Sequence, residues 1–165
     1  MSAVAGRLRV GLISDTHGLL RPQAIDFLRG SAHIIHAGDI VDPATLDQLA
    51  ALAPLTSVRG NNDIGPWALA LPESVTVALG GVAIHVIHDL HDLDAAATGP
   101  AGERERVRVV VSGHSHKPAC AERDGVLYVN PGAAGRRRFT LPVSVGELLI
   151  EDGEVRANLV TLKVD

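Results

Sequence analysis

Short apolar runs, each closing on polar residues or glycine, recur along the chain and set out its elements. Leu8–Ile13 alternates and then turns wholly apolar, as a strand of a central sheet does, and delivers Ser14-Asp15-Thr16-His17-Gly18. Residues 22–29 open on Pro22 and place Ala24, Ile25, Phe27 and Leu28 on one face before Gly30, which predicts a helix returning the chain to the sheet. Residues 33–37 predict a second buried strand, ending in Gly38-Asp39. Asp42 as N-cap and Pro43 at the first helical position predict a second helix, with Leu46, Leu49, Ala50 and Ala53 on one face before Pro54. Residues 55–58 then lead into Arg59-Gly60-Asn61-Asn62-Asp63.

Ser74–Leu79 and Val82–Ile87 flank Gly80-Gly81, a two-residue link that predicts a hairpin, and the second strand delivers His88. Residues 89–106 read less clearly. Leu90, Leu93 and Ala95-Ala96-Ala97 predict a short helix, whereas Gly99-Pro100-Ala101-Gly102 and the charged residues 103–106 predict an exposed connection. Val107–Val111 is a further apolar run and ends in Gly113-His114-Ser115-His116; residues 125–129 end in Asn130-Pro131-Gly132. The tail predicts an antiparallel pair over 143–150 and 155–162, turning at Asp152-Gly153. No repeat, low-complexity tract or linker divides the chain, so residues 1–165 are expected to form one domain.

Composition narrows the function classes. A formal charge of -4 and an aromatic content of 2% argue against a cationic, base-stacking surface, so sequence-specific nucleic acid is not an expected partner. Residues 1–7 carry no apolar core of signal-peptide length, and no stretch approaches ~18 uninterrupted apolar residues; a cytoplasmic protein with no membrane partner is expected. Cys120 is the only cysteine, and it reads as a small packed side chain. Metal ligation would therefore rest on His, Asp, Glu or Asn.

Five apolar runs end in such residues: Asp15 and His17, Asp39, Asn61, His88, then His114 and His116. In layered α/β architectures ligands bind beyond the carboxyl ends of the strands, where side chains dispersed in sequence converge. Residues at i and i+2 leave the backbone in different directions, so His114 and His116 suit two neighbouring ions. Seven ligands fit two ions sharing one bridge, and a carboxylate bridges where a neutral imidazole cannot, which nominates Asp39. Mixed His, Asp and Asn ligation without thiolate fits Mn, Fe, Zn or Ni better than Ca or Mg, with Mn first. Asn61-Asn62-Asp63 after glycine also reads as an ordinary turn. His33 and His85, inside apolar runs, read as structural; His36 is placed to support Asp39, and His91 to reach the mouth of the site. Arg59 and Arg136 to Arg138 read as solvated charge.

The order Asp-x-His, Gly-Asp, Gly-Asn, His, Gly-His-x-His resembles the calcineurin-like metallophosphoesterase superfamily, and the short length resembles its small prokaryotic phosphodiesterase branch. The resemblance runs from Leu8 to at least Gly132, and Asn130-Pro131-Gly132 looks like a block that branch carries. It implies a layered α+β fold: a four-layer αββα sandwich of two mixed sheets flanked by helices. It also implies one ion held by Asp15, His17, Asp39 and His116, and another by Asp39, Asn61, His88 and His114. The implied chemistry is hydrolysis of a phosphodiester P–O bond by in-line attack of a hydroxide bridging two divalent ions.

Two positions depart from the family pattern. Asn62 stands where many members carry a histidine near the leaving group, which favours substrates whose leaving group needs little protonation, or else takes its proton from water. Asp89 stands where a glycine commonly follows the ligand histidine, and reads as the start of a turn. For catalysis, Asn62 is placed to donate an amide hydrogen bond to a phosphate oxygen, and Asp63 to orient Asn62 or a neighbouring histidine. The expected substrate is a small phosphodiester, with a phosphomonoester as the alternative. A second alternative is a protein-interaction scaffold like the retromer subunit of this fold, although every ligand position here keeps a competent ligand. The loops over 64–72 and 89–106 would select the substrate. An exposed edge strand or the surface near Trp67 offers a route to a homo-oligomer.

Overall fold

The fold, seen in a computed structural model, is described here over residues 7–93 and 106–164. Ten strands form two five-stranded mixed sheets. The first contains β1 (Leu8–Ile13), β2 (His33–His36), β3 (Leu55–Ser57), β9 (Ser144–Glu151) and β10 (Glu154–Thr161), in the order β10-β9-β1-β2-β3. The second contains β4 (Ser74–Leu79), β5 (Val82–Ile87), β6 (Val107–Val111), β7 (Ala119–Arg123) and β8 (Val126–Asn130), in the order β4-β5-β6-β8-β7. Three strands in each sheet run parallel, β1-β2-β3 and β5-β6-β8; β9, β4 and β7 run antiparallel to them, and β10 pairs antiparallel with β9.

The sheets pack face to face because alternate residues of both are apolar. Val10, Leu12, Ile35 and Leu148 from one meet Ile84, Val86, Val109 and Val111 from the other in one fully buried cluster. Each such side chain contributes about 1.5–3 kcal/mol relative to leaving it in water. The opposite face of the first sheet is covered by α1 (Pro22–Leu28) and α2 (Ala44–Ala50), whose Ala24, Leu28 and Leu49 pack on Ile13 and Ile34. The layered α+β sandwich is thus observed, and no helix among the described residues is long and apolar enough to cross a membrane.

Several details differ from the expectation. The second helix is assigned from Ala44, but Pro43 is already in helical conformation (φ -61°, ψ -20°) and Asp42 Oδ1 accepts from Ala44 N (3.0 Å), the cap bond expected of it; Ala50, expected on the packed face, is exposed. β7 and the one-turn helix α3 (Pro66–Leu69) carry no sequence signal strong enough to predict them. β7 reads Ala-Cys-Ala-Glu-Arg, poor in strand formers, and exists through its pairing with β8. Cys120 is consequently exposed rather than packed. The helix expected at residues 95–97 and the connection over 99–105 lie outside the described residues.

The parallel strands settle where the polar clusters go. All six carboxyl ends of β1, β2, β3, β5, β6 and β8 reach one edge of the sandwich, and backbone bonds lace the following loops together. Asp15 N donates to the Gly38 carbonyl (3.0 Å), His17 N to that of Asp39 (3.0 Å), Gly113 N to that of His88 (2.9 Å) and Ala134 N to that of Ser14 (3.0 Å).

Candidate metal centre

Three of the ligand loops leave their strands through an abrupt backbone reversal. Asp15 and His17, Asp39 and Val41, and His114 and His116 all have φ between 46° and 71°, in the left-handed region that L-residues avoid. The alternation at i and i+2 is common to three loops. Such conformations cost of order 1–3 kcal/mol each and persist only where surroundings over-determine them, which is a hallmark of functional loops.

Asp63 supplies much of that determination. Its Oδ1 accepts from Ile40 N (2.8 Å) and Val41 N (2.7 Å), and its Oδ2 from Asp39 N (3.0 Å) and Gly60 N (2.8 Å). The expectation that Asp63 orients Asn62 or a histidine therefore differs from what is seen: its carboxylate clamps the Asp39 loop instead. Gly60 belongs to the same junction, since a Cβ there would run into the backbone nitrogen and carboxylate of Asp39. Buried His36 joins two more loops, with Nδ1 accepting from Gly38 N (3.1 Å) and Nε2 facing Thr16 Oγ1 (3.0 Å). Burial pushes its pKa down to about 4, so the ring is neutral and Nε2–H is the donor to Thr16. Asn130 holds the late histidines, donating through Nδ2 to the Gly113 carbonyl (3.0 Å) and Ser115 Oγ (3.1 Å).

Within this frame the seven ligand-type side chains meet. Asp15, His17 and His116 form one compact group, and Asp15, Asp39 and His88 another. Asp15 belongs to both groups, and Asp39 Oδ2 lies 3.6 Å from His17 Nε2 of the first and 3.3 Å from His88 Nε2 of its own. Asn61 Oδ1 touches His88 Nε2 (3.0 Å) and His114 Nδ1 (3.1 Å). His114 and His116 diverge as their spacing implies: His114 stands 5.2 Å from the His88 ring and His116 5.2 Å from that of His17. Asp15 and His17 have the same spacing yet converge in one group.

Lone pairs point inward. His88 Nδ1 donates to the Ala37 carbonyl (2.7 Å), so the neutral ring offers Nε2 toward Asn61 and Asp39. Ser14 Oγ (2.6 Å) and His114 N (3.1 Å) occupy Asp15 Oδ2, leaving Oδ1 free. Among the described residues, Asp15 Oδ1 and His17 Nε2 are buried without a hydrogen-bond partner. A converging set of carboxylate, amide and imidazole acceptors with orphaned buried atoms fits divalent transition metals.

The remaining candidates are placed as follows. Asn62 is exposed and donates from its amide to Asp39 Oδ2 (2.9 Å) and from its backbone to Asp39 Oδ1 (2.8 Å). Asp89 begins a turn over Leu90–Asp92, accepting from His91 N (3.0 Å), while its Oδ2 lies 3.6 Å from His114 Nε2. His91 binds Asp89 and is exposed; His33 and His85 are satisfied by Thr56 (2.7 Å) and Thr76 (2.8 Å). Arg59 pairs with Glu73 (2.9 Å), and Arg136, Arg137 and Arg138 are exposed.

Electrostatics without metal yields a test. Burial opposes ionisation of Asp15 and Asp39, but the neighbouring imidazoles, with Ser14 and Asn62, outweigh it and lower both. Burial likewise opposes protonation of His88, yet its contact with Asp39 and the charges of Asp15 and Asp39 raise it to about 9. A raised folded-state value stabilises fully below the unfolded value of 6.5 and loses that contribution as pH climbs through about 9. The two lowered carboxylates act oppositely, stabilising above their ordinary 3.8 and losing the contribution as pH falls. Chelated protein is therefore expected to lose thermal stability between pH 6.5 and 9. Metal-loaded protein, whose His88 must be neutral to ligate, should not share that loss. Melting curves of both forms across this range check it, and a flat profile for the chelated protein would contradict the assignment.

Comparison with known proteins comes to the same region. Residues 8–153 match the model of the calcineurin-like phosphoesterase superfamily domain. A probable metallophosphoesterase from Methanocaldococcus jannaschii is 32% identical, over 97% of this chain and 84% of that protein. A solved structure described as a novel archaeal phosphodiesterase superposes with a TM-score of 0.74 at 25% identity, covering 93% of this chain and all (100%) of that one. The Vps29 structure from Chaetomium thermophilum shares the fold, with a TM-score of 0.72 at 23% identity over 94% of this chain and 98% of its own.

Proposed function

The chain belongs to the calcineurin-like phosphoesterase superfamily, and we propose that within it the protein is a phosphodiesterase dependent on two divalent metal ions, manganese before iron, zinc or nickel. The observation that carries this reading is the clustering of Asp15, His17, Asp39, His88 and His116 around buried, unpartnered Asp15 Oδ1 and His17 Nε2, with Asn61 and His114 beside His88. Asp15, His17, Asp39 and His116 would hold one ion; Asp39, Asn61, His88 and His114 the other. When bound, the ions supply Lewis acidity, lowering the pKa of water and offsetting charge on the phosphoryl oxygens.

The chain's own groups do the rest. Asp39, whose Oδ2 reaches both His17 and His88, would be the ligand shared by the two ions. Asn62, exposed beside it, is the side chain free to swing from Asp39 Oδ2 to a phosphate oxygen, because its backbone N–H keeps the Asp39 Oδ1 bond in either position. As an amide it donates a hydrogen bond and releases no proton, which favours diesters with good leaving groups. Asp63 and His36 act through the loops they brace. The diester is placed ahead of the monoester by the likeness to the archaeal phosphodiesterase structure.

Hydrolysis of bis-p-nitrophenyl phosphate and p-nitrophenyl phosphate by chelator-stripped protein tests this, with and without added Mn²⁺. Manganese-dependent turnover with the diester ahead is the expected result. Monoester turnover ahead would transfer the reading to a phosphomonoesterase. No turnover of either ester with Mn, Fe, Zn or Ni by folded protein would overturn the enzyme reading in favour of an interaction scaffold.

A further inference from the structure

Two cavities flank the candidate metal centre, and they differ in chemistry. One, of about 430 Å³, is polar, bounded by Asn61, His88, Arg59, Glu73 and Asp92. The other, of about 330 Å³, reaches from His114 across Leu90 and over β7 and β8, where Ala119, Ala121, Arg123 and Tyr128 bound it. Asp89 borders both and separates them. The second cavity comes from an oddity of sequence. Ala119 and Ala121 occupy successive same-face positions of an edge strand, opposite Asn130 and Tyr128, where strands normally carry larger side chains. Two methyl groups leave a depression above the sheet, walled by the Tyr128 ring and by the Arg123 guanidinium stacked on it at 4.3 Å. Neither alanine gains burial, since all five residues of β7 are exposed.

We propose that this depression is the subsite for one ester group of the diester and that it selects a flat, apolar ring. The inference rests on the phosphodiesterase reading above. Its wall includes His114, so an ester arm leaving a phosphorus at the metal centre passes over that imidazole directly onto the alanines. The size fits a single ring system, and small-molecule sites are typically apolar hollows with a few polar groups at the rim. The aromatic face of Tyr128 and the guanidinium plane of Arg123 both favour stacking on a flat group. The polar cavity on the far side of Asp89 takes the other ester arm, so the preferred substrate is an unsymmetrical diester with one ring-bearing and one polar arm.

Tyr128 is the only tyrosine, so its ring reports on this cavity alone. Zinc-loaded protein carrying ring-labelled tyrosine is titrated with phenylphosphonate and with methylphosphonate, whose P–C bonds resist P–O hydrolysis. Phenylphosphonate is expected to bind at least tenfold more tightly and to shift the tyrosine resonances, whereas methylphosphonate binds without moving them. Ala121→Leu, which fills the depression at an exposed site, should erase the preference. In the same variant the ratio of kcat/KM for bis-p-nitrophenyl phosphate over methyl p-nitrophenyl phosphate should fall about tenfold, and Ala119→Leu should repeat both effects. Equal, metal-dependent binding of the two phosphonates with an unmoved tyrosine would overturn the subsite and leave the metal-centre reading standing. Metal-dependent binding of neither would overturn both.

Discussion

Replacing Asp39 with asparagine is expected to lower kcat/KM for bis-p-nitrophenyl phosphate by more than about 10³-fold, roughly 4 kcal/mol of transition-state stabilisation. The substitution keeps the shape of the side chain and removes its charge. Oδ1 still accepts from Asn62 N, whereas the position of Oδ2 is taken by an NH₂ that faces the Asn62 amide, donor against donor. The same atom is the one set 3.6 Å from His17 Nε2 and 3.3 Å from His88 Nε2, so both imidazoles lose the anion they face. Metal content should fall below two ions per chain. His88 should also titrate lower in the chelated variant, since contact with Asp39 is the foremost influence raising it. Elemental analysis, steady-state kinetics and a histidine NMR titration measure the three effects. Full loading with turnover within tenfold of the parent would remove Asp39 from the bridging position.

Asp63→Ala is expected to cost about 3–5 kcal/mol of folding stability, lowering the melting temperature by roughly 10–15 °C. No other carboxylate in the site accepts four backbone N–H groups, and three of them belong to consecutive residues, Asp39 to Val41. Truncation leaves donors pointing into a buried hollow that water refills only in part. Val41 adds to the loss. It is β-branched, at φ 70°, and its N–H is held by Asp63 Oδ1, so removing the carboxylate lets the residue leave the left-handed region. Release of this loop displaces Asp39 and should weaken metal binding as well. Asp63→Asn retains one acceptor and turns an NH₂ toward amide donors, so an intermediate loss is expected. Thermal melts with and without Mn²⁺ provide the measurement. A melting temperature within 2 °C of the parent in chelated Asp63→Ala would show that the clamp is dispensable, by the roughly 2–4 °C per kcal/mol of a chain this size.

Asp63 also shows where reading the sequence stops. Its place in Gly60-Asn61-Asn62-Asp63 marks it as polar and near a ligand, and either a turn residue or a catalytic partner would look the same. Which donors it meets depends on β2 and β3 lying side by side, which brings residues 23 positions apart into hydrogen-bond reach. β7 is a similar case: its residues lack strand propensity, and only the free edge of β8 makes them a strand. The cavity above it follows from that pairing and left no periodic signal. His36, whose position before Gly38-Asp39 invited a supporting role, is seen to brace two loops at once because Thr16 arrives from β1.

By itself the sequence determined the repeating unit of this protein: an apolar strand, a glycine or polar corner, and a side chain able to bind metal. These are local properties, governed by side-chain alternation with a period of two and by the conformations a corner tolerates, so they are legible without a partner. The tertiary structure decided how the units combine. It sent Asp15 and His17 to one place, brought Asp39 Oδ2 within reach of both His17 and His88, and turned Asp63 into a clamp. The physical reason is separation along the chain. Contacts such as Asp15 with His114, 99 positions apart, depend on sheet order and register, which no local pattern encodes.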